Sequence, residues 1–320
     1  MSLFQSNAWQ KTWWEIWGST PGFKLVMLGG RGRSGLYLDQ YRWRSVVPIR
    51  CLQLVGTNYR RISTPRTEYN DLTSFHDGLD AKGELSGLSW SEAVFRDLID
   101  STPHVNRLRQ LCRERGWLFR TVHQDTAYHI ATDITFDDYL SSLGPNTRLR
   151  LFNRRKVLDG CGHITLENFW PNKVEHFFHR LNELHRSRWG VPCFGSSSLD
   201  FHLRFLSRIV DEGGRPELSV LCCDNEDVSL LYNVVYEGRV YNIQAGYIEG
   251  FHRKLALGTL HLGYCIETAC SATDVDSFDL LAGEGKNENY KRRLANREVP
   301  MVSVMVVRGR LLKLLYRLKH

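Results

Sequence analysis

The sequence predicts an α/β fold whose mixed, mostly antiparallel sheet is flanked by helices. Residues 172–189 and 199–210 carry apolar side chains at the three- and four-residue spacing of amphipathic helices. The period then changes to that of strands at 218–223, 228–236 and 239–245, with Glu237-Gly238 as a tight turn. A helix at 258–270 and strands at 278–281 and 302–307 complete the order, which favours α/β.

The first half of the chain is less regular. Trp9, Trp13, Trp14 and Trp17 stand at helical spacing, and a Gly/Arg turn at 29–35 joins strands at 23–28 and 36–42. Residues 71–89, rich in Gly, Asp and Ser, are predicted to form a loop. Two helices near 91–100 and 105–115 follow, and then strands at 117–122 and 128–131. A basic helix over 146–159 links the two halves.

Composition limits the class of protein. In 320 residues, 42% are hydrophobic and 12% aromatic, which is typical of one large or two ordinary globular domains. No apolar run approaches the ~20 residues that span a bilayer, and no secretory signal is visible, so we expect a cytoplasmic protein. The 8 cysteines form no CxxC pair, which favours reduced buried thiols and no zinc site.

Positive charge is concentrated in the first half. The whole chain carries 42 basic and 35 acidic residues, and residues 1–155 hold 21 and 15 of them. The tail, 308–320, has five basic residues and no acidic one. This pattern suits an anionic small molecule, a nucleic acid or a membrane surface, and does not choose between them.

A set of short motifs in the second half resembles a known superfamily. The motifs are Leu184 to Trp189 (LHRSRW), Ala245-Gly246-Tyr247, Leu257 to Leu260 (LGTL), and Phe278 to Glu284 (FDLLAGE) followed by Tyr290 to Arg293. In their order they resemble GNAT acyltransferases, and more narrowly the two-domain CelD/BcsL-like branch, which shares its fold with FemX-type aminoacyl transferases. The resemblance implies two GNAT-like domains, 1–145 and 146–320, with the acyl-CoA site in the second.

The donor site implied by the resemblance lies at the helix start around Gly258. A helix N-terminus offers unpaired N–H groups and a positive dipole end, which suit a pyrophosphate. We expect acetyl-CoA or another acyl-CoA as co-substrate and no metal, since His176 and His179 lack an acidic partner at ligand spacing. The expected donor contacts are Arg253, Lys254, Leu257, Gly258, Thr259 and Leu260.

Acylation of an amine needs a base for the ammonium proton and an acid for the leaving thiolate. Glu249, just after a strand, and Asp279, within one, are alternative bases. A solvated Glu249 and a structural Asp279 are the competing interpretations. Tyr290 is the expected acid, as tyrosines are in many GNAT enzymes. The acceptor is expected to meet His185, Arg188, Trp189, Tyr247, Lys291 and Arg292.

We therefore expect an acyl-CoA-dependent N-acyltransferase, with acetyl favoured, acting on an amine of a sugar or other small polar metabolite. The resemblance associates it with surface polysaccharide synthesis. One alternative is a FemX-like transferase that uses charged tRNA. Another is a non-catalytic protein that binds nucleic acid or a membrane surface. The leucine- and base-rich tail fits either peripheral membrane contact or a helix docked on the protein.

Overall fold

The computed structural model describes residues 1–43, 45–73, 88–283 and 286–318. The chain forms two compact units, Met1–Thr126 with Val299–His320, and Ala127–Glu298. This division differs from the expected boundary after residue 145: the first stretch of the first unit ends at Thr126, and the unit also includes Val299–His320. Most of the loop expected at 71–89, and Glu284 of the sequence motif, lie outside the described residues.

The first unit is a sheet with two helices and a terminal helix. After a 3₁₀ turn, its elements are α1 (Asn7–Trp17), β1 (Phe23–Met27), β2 (Leu36–Trp43), β3 (Val47–Leu54), β4 (Glu92–Ile99), α2 (Pro103–Glu114), β11 (Arg297–Val307) and α10 (Arg310–Leu318). The strands follow the order β1-β2-β3-β4-β11. Neighbours are antiparallel except β3 and β4.

The prediction of a helix at 91–100 is wrong, because that segment forms strand β4. Its residues are buried on both faces, so the alternation that marks a half-exposed strand is missing from the sequence. Strand β3 was not predicted at all. The two strands expected at 117–122 and 128–131 are one long strand, β5 (Leu118–Ala131), which begins in the first unit and ends in the second.

The second unit carries the helices and strands expected between residues 172 and 281, together with helices before residue 145 and after residue 285 that were not predicted. Its elements are α3 (Phe136–Ser142), α4 (Pro145–Arg148), α5 (Arg155–Asp159), β6 (Ile164–Asn168), α6 (Val174–Trp189), α7 (Ser196–Val210), β7 (Arg215–Cys223), β8 (Glu226–Tyr236), β9 (Arg239–Tyr247), α8 (Leu257–Ser271), β10 (Ser277–Ala282) and α9 (Lys286–Leu294). The sheet order is β5-β10-β9-β8-β7-β6, antiparallel except for β9 beside β10. The mixed, mostly antiparallel sheet flanked by helices is confirmed.

Helix α8 is the central helix of this unit. Leu262, Ile266 and Ala269 on α8 pack with Leu231 and Phe278 of the sheet in one buried cluster. Full burial of a side chain of the size of Leu or Phe contributes about 1.5–3 kcal/mol. The packing therefore fixes where α8 begins relative to the strands. None of the described helices is long and apolar enough to cross a membrane.

The expected basic helix at 146–159 is interrupted. A π-helical turn, Leu149–Asn153, separates α4 from α5. At the contact with α8, a Cβ on Gly263 would lie 2.2 Å from the carbonyl oxygen of Leu151, so only glycine lets the two segments approach. Arg155 then stacks 3.8 Å from the ring centre of Tyr264 on α8. The interrupted helix is thereby held against α8.

Strands β9 and β10 separate soon after they meet. They pair in parallel only from Arg239 to Tyr241 and from Ser277 to Asp279. Beyond this point β9 continues to Tyr247, whereas the register of β10 against β5 shifts and Leu281 takes a φ of +61°. A wedge therefore opens between the two strands, along the edge of β9 that faces β10.

Candidate active site at the ends of β9 and α8

Helix α6 reaches the end of β9 because of a glycine. A Cβ on Gly246 would lie 2.7 Å from Cδ1 of Leu181 and 3.4 Å from Cβ of Leu184. Its absence allows the helix to pack directly on the strand. The last turn of α6, with Arg188, is thereby placed beside the residues that follow β9.

Arg188 connects the helix to this strand end. Its Nε lies 2.7 Å from Oε1 of Glu249. Its guanidinium carbon is 4.9 Å from the ring centre of Tyr247 and 4.9 Å from that of Trp189. A carboxylate and two aromatic rings around an arginine fix the orientation of its guanidinium group. The structure thus brings together Arg188, Tyr247 and Glu249, three residues that the sequence predicted separately.

These residues line an open cavity of about 580 Å³. Its charged lining consists of three arginines and three glutamates: Arg180, Arg186, Arg188, Glu183, Glu226 and Glu249. Such a surface suits a polar ligand that carries both an ammonium and an anionic or hydroxyl group. Sequence reasoning missed Arg180 and Glu183, although their positions seven and four residues before Ser187 place both on one helix face.

The start of α8 packs against the ring of Tyr247. Ala256 precedes the helix and gives it no side-chain cap, so the first backbone N–H groups remain available to a ligand. Leu257 and Leu260 are buried to 3% and 0% exposure, so only their backbone can serve a donor molecule. At Gly258 a Cβ would lie 2.6 Å from Cδ1 of Tyr247. This glycine is therefore required by packing against the tyrosine.

Thr259 and Tyr290 meet in a second, smaller cavity of about 120 Å³. Arg150 of the π-helical turn and Arg293 of α9 also line it. Burial, with a smaller contribution from Tyr247, raises the pKa of Tyr290 to about 12, and Arg188 acts in the opposite direction. The Tyr290 phenol is therefore protonated at neutral pH. Arg150 and Arg293 were not among the expected contacts.

Asp279 is not brought to either cavity. Its carboxylate is fully buried, lies 3.3 Å from Nη1 of Arg239 and accepts a hydrogen bond of 2.7 Å from the Leu281 backbone N–H. The Asp279 position pairs with His129 on one side and Tyr241 on the other within the sheet. Arg239 and the Leu281 N–H are partners of the carboxylate, at the point where β9 and β10 separate. Of the two expected bases, Asp279 is therefore enclosed in the sheet, and Glu249 is the one that lines a cavity.

Two other expected acceptor contacts on α9 are engaged elsewhere. Lys291 donates hydrogen bonds to the carbonyl oxygens of Ala282, at 2.6 Å, and Leu281, at 3.3 Å. The ammonium therefore caps the end of β10, and Lys291 lines neither cavity, so its expected role in acceptor binding stays a prediction. Arg292 is two-thirds exposed, and its Nε lies 3.6 Å from Oε1 of Glu298.

The remaining expected residues lie around the site rather than in it. His185 Nδ1 is 3.1 Å from the Val191 carbonyl oxygen, and Trp189 is 60% exposed. Arg253 and Lys254 are exposed in the loop before α8 and line neither cavity. Their chain position still places them a few residues before the first turn of α8.

Part of the chain matches a known domain family. Residues 145–292 match the model of the acetyltransferase (GNAT) domain. These residues include α6, β9, α8 and α9, the elements that build both cavities. A comparison with curated proteins gives no match.

Solved structures show the same fold over nearly the whole chain. FemX has a TM-score of 0.62 at 11% identity, covering 98% of this chain and 94% of FemX. A conserved protein of unknown function from Bacteroides thetaiotaomicron has 0.56 at 9% identity, covering 95% and 90%. The C-terminal domain of a protein described as a lysylphosphatidylglycerol synthetase from Agrobacterium fabrum has 0.55 at 10% identity, covering 98% and 90%. Residues 145–292 thus match the GNAT acetyltransferase domain model, in a chain whose fold is similar to that of FemX.

Proposed function

We propose that this chain is an acyl-CoA-dependent N-acyltransferase, with acetyl as the favoured acyl group. The observation that carries the proposal is the wedge between β9 and β10, which opens beside the uncapped start of α8. An extended donor arm can pair with the free edge of β9, as peptides pair with sheet edges. Its pyrophosphate would then face the first turn of α8.

The charge around this helix start supports a phosphorylated donor. The first N–H groups of α8 and its dipole favour an anion, and Thr259 adds a hydroxyl donor. Arg150 and Arg293 line the same cavity as Thr259 and bring two positive charges. Arg253 and Lys254 add two more in the loop before the helix. A free carboxylic acid would need fewer donors than this arrangement supplies.

The larger cavity is the proposed acceptor site. An amine enters as an ammonium ion, which the carboxylates of Glu183, Glu226 and Glu249 attract. Glu249 takes the proton, and the free amine nitrogen attacks the thioester carbonyl carbon. Arg188 keeps the Glu249 carboxylate oriented at 2.7 Å. An amino sugar or another small polar amine fits a lining of paired positive and negative groups.

Tyr290 completes the proposed reaction. As the tetrahedral intermediate collapses, the carbon–sulfur bond breaks and the thiolate accepts the Tyr290 proton. A phenol with a pKa of about 12 keeps its proton at neutral pH. It donates this proton to the sulfur while negative charge develops there. The nitrogen, which still carries one proton more than an amide, releases it through water to the Tyr290 phenolate, and the proton held by Glu249 passes to solvent. The products are an amide and free coenzyme A.

The narrower assignment to the CelD/BcsL-like branch, with an acceptor from surface polysaccharide synthesis, remains part of this proposal. It rests on the sequence motifs around Arg188, Tyr247 and Gly258. A cytoplasmic location is proposed with it, since acyl-CoA donors are cytoplasmic.

A charged-tRNA donor is the second candidate. It is favoured by the likeness to FemX over 98% of the chain and by the excess of basic residues in the first 155 positions. A ribose-phosphate chain would use the same arginines as a coenzyme. The aminoacyl ester would replace the thioester, so an alcohol rather than a thiolate would leave.

Calorimetric titration separates the two donors. We expect the intact chain to bind acetyl-CoA at micromolar concentration and to be stabilised by it against heat, because a ligand of the native state raises the unfolding temperature. Charged tRNA should bind more weakly and lose affinity steeply with salt. Binding of charged tRNA without binding of acetyl-CoA would replace the first proposal by the second.

A further inference from the structure

The helix α10 is fixed to the first unit by one face. Leu312 is 4% exposed, and Leu315 and Tyr316 pack against the same cluster. The Tyr316 hydroxyl donates a hydrogen bond of 2.7 Å to Oε2 of Glu92, and Lys313 donates one of 2.9 Å to the Gly116 carbonyl oxygen. These contacts confirm a docked helix and determine which side of it faces outward.

The outward side of α10 is apolar. Leu311, Leu314 and Leu318 are 59%, 55% and 74% exposed. Their spacing of three and four residues aligns them in one stripe on the helix surface. No described residue covers this stripe. Three large exposed leucines within two helix turns are unusual for a surface that faces only water, and mark an interaction site.

Basic side chains border the leucine stripe. Arg310 and Arg317 are exposed and lie seven residues apart, so they share one face of the helix next to Leu314. Neither forms an ion pair with a residue of the described part of the chain. Residues 308–318 contain four basic residues and no acidic one. A leucine stripe beside a row of arginines is the pattern of a helix that lies in a membrane interface.

A second apolar point lies in the same unit. Val46, in the turn between β2 and β3, is 73% exposed. Trp43 and Val47, at the ends of that turn, pack against the cluster that also holds Leu312 and Leu315. The turn and α10 are therefore both attached to this cluster, and both expose apolar side chains.

We propose that α10, together with the turn at Val46, docks on an anionic membrane surface. Leu311, Leu314 and Leu318 would enter the boundary between headgroups and acyl chains, and Arg310 and Arg317 would contact lipid phosphates. A nucleic acid would use the arginines but leave the leucines in water. A second copy of the chain would bring two basic helices together, which their charges oppose. This inference does not depend on the proposed acyl transfer.

Vesicle sedimentation tests the proposal with the intact chain. We expect binding to vesicles of mixed phosphatidylglycerol and phosphatidylcholine, weaker binding to pure phosphatidylcholine, and loss of binding as salt rises. Leu314→Ser and Leu318→Ser should each weaken binding to the anionic vesicles about tenfold, since each removes an apolar side chain that the membrane would bury. Arg310→Ser and Arg317→Ser should each weaken it about fivefold.

Matched controls keep the test specific. Val210→Ser changes an exposed apolar residue on α7, 44% exposed, and should leave vesicle binding unchanged. Exposed substitutions change the free energy of unfolding by less than about 0.5 kcal/mol, so all variants should unfold at the temperature of the wild type. The proposal is overturned by a wild type that ignores anionic vesicles, or by leucine variants that bind like the wild type. A dimer in solution that Leu314→Ser dissolves would also overturn it, because the stripe would then serve a second copy.

Discussion

Glu249 and Arg188 form an ion pair with a separation of 2.7 Å at the mouth of the larger cavity, where 56% of the Glu249 side chain remains exposed. A carboxylate that is both oriented and accessible can receive a proton from an amine. We predict that Glu249→Gln lowers kcat about 10²–10⁴-fold and leaves acetyl-CoA affinity unchanged, because the proton comes from the acceptor. Steady-state kinetics with calorimetry measure both quantities.

The same variant should regain activity at high pH, where the amine is already deprotonated in solution. Glu175→Gln, at an exposed position in the first turn of α6, is the control and should behave like the wild type. A Glu249→Gln variant with a normal rate at neutral pH would remove this residue from proton transfer.

Asp279 should affect stability rather than catalysis. Its buried carboxylate pairs with Arg239 and accepts the Leu281 N–H. Breaking a buried ion pair costs about 3–5 kcal/mol, and Arg239 is 31% exposed, so Asp279→Asn should lower the free energy of unfolding by about 3 kcal/mol. Urea denaturation measures this loss. A stable variant with a kcat reduced as far as that of Glu249→Gln would restore Asp279 as the base.

Tyr290→Phe should slow the reaction by a different route. The phenylalanine keeps the ring contacts of α9 but cannot protonate the thiolate, so we expect kcat to fall about 10²-fold or more. High pH should give little rescue, because a deprotonated amine does not help the thiolate to leave. The wild-type rate should also show no loss from Tyr290 ionisation below pH of about 11, given the raised pKa. Recovery of Tyr290→Phe at high pH would contradict this role.

Two buried histidines predict sensitivity to mild acid. Both nitrogens of His261 lie 2.9 Å from serine hydroxyls, those of Ser219 and Ser229, and burial lowers the pKa of His261 to about 3. Burial also lowers the pKa of His202 to about 3. In the unfolded chain a histidine has a pKa of about 6.5. Between these values only the unfolded state binds the proton, so stability is complete above pH of about 6.5 and decreases as pH falls.

Each histidine should lower the free energy of unfolding by about 1.4 kcal/mol per pH unit below pH of about 6.5. His261→Gln cannot take up this proton, so its stability should fall less steeply between pH 6.5 and pH 5. Urea denaturation of both proteins at several pH values measures the two slopes. Equal slopes would mean that His261 is already protonated in the folded protein.

Much of the second unit could be predicted from the sequence, because α6 and α7 bury one stripe of side chains and the turn at Glu237-Gly238 marks the hairpin of β8 and β9. Strand β4 is buried on both faces like β7 and β8 but belongs to no hairpin, and its apolar residues imitate a helix. At the site, Arg188 was predicted because it belongs to the LHRSRW motif, and Glu249 because it follows the end of a strand. Their contact depends on Gly246, whose missing side chain admits α6.

The role of Lys291 was beyond sequence reasoning for a similar reason. Its ammonium bonds the Ala282 carbonyl oxygen at 2.6 Å, and its stem runs over Gly283, where a Cβ would lie 2.8 Å from Cδ of Lys291. A basic run on a helix suggests a solvated face or an anion site. Only the position of β10 relative to α9 reveals that one member of the run closes a strand.

Gly258 is unsuitable for testing the donor site, since any side chain there meets Tyr247. Thr259 avoids this difficulty because it faces the smaller cavity in the first turn of α8. An aspartate at this position stabilises a helix through the dipole, so Thr259→Asp should fold normally. The added negative charge should oppose a pyrophosphate, whereas Thr259→Asn is a neutral control of the same shape.

The affinity of these proteins for acetyl-CoA tests the central claim most directly. We predict that calorimetric titration shows micromolar binding by the wild type, similar binding by Thr259→Asn, and binding at least about tenfold weaker by Thr259→Asp, since charge effects at a helix start are worth up to ~2 kcal/mol. Equal affinities in the three proteins, or no binding of acetyl-CoA by the wild type, would contradict a donor site at the start of α8.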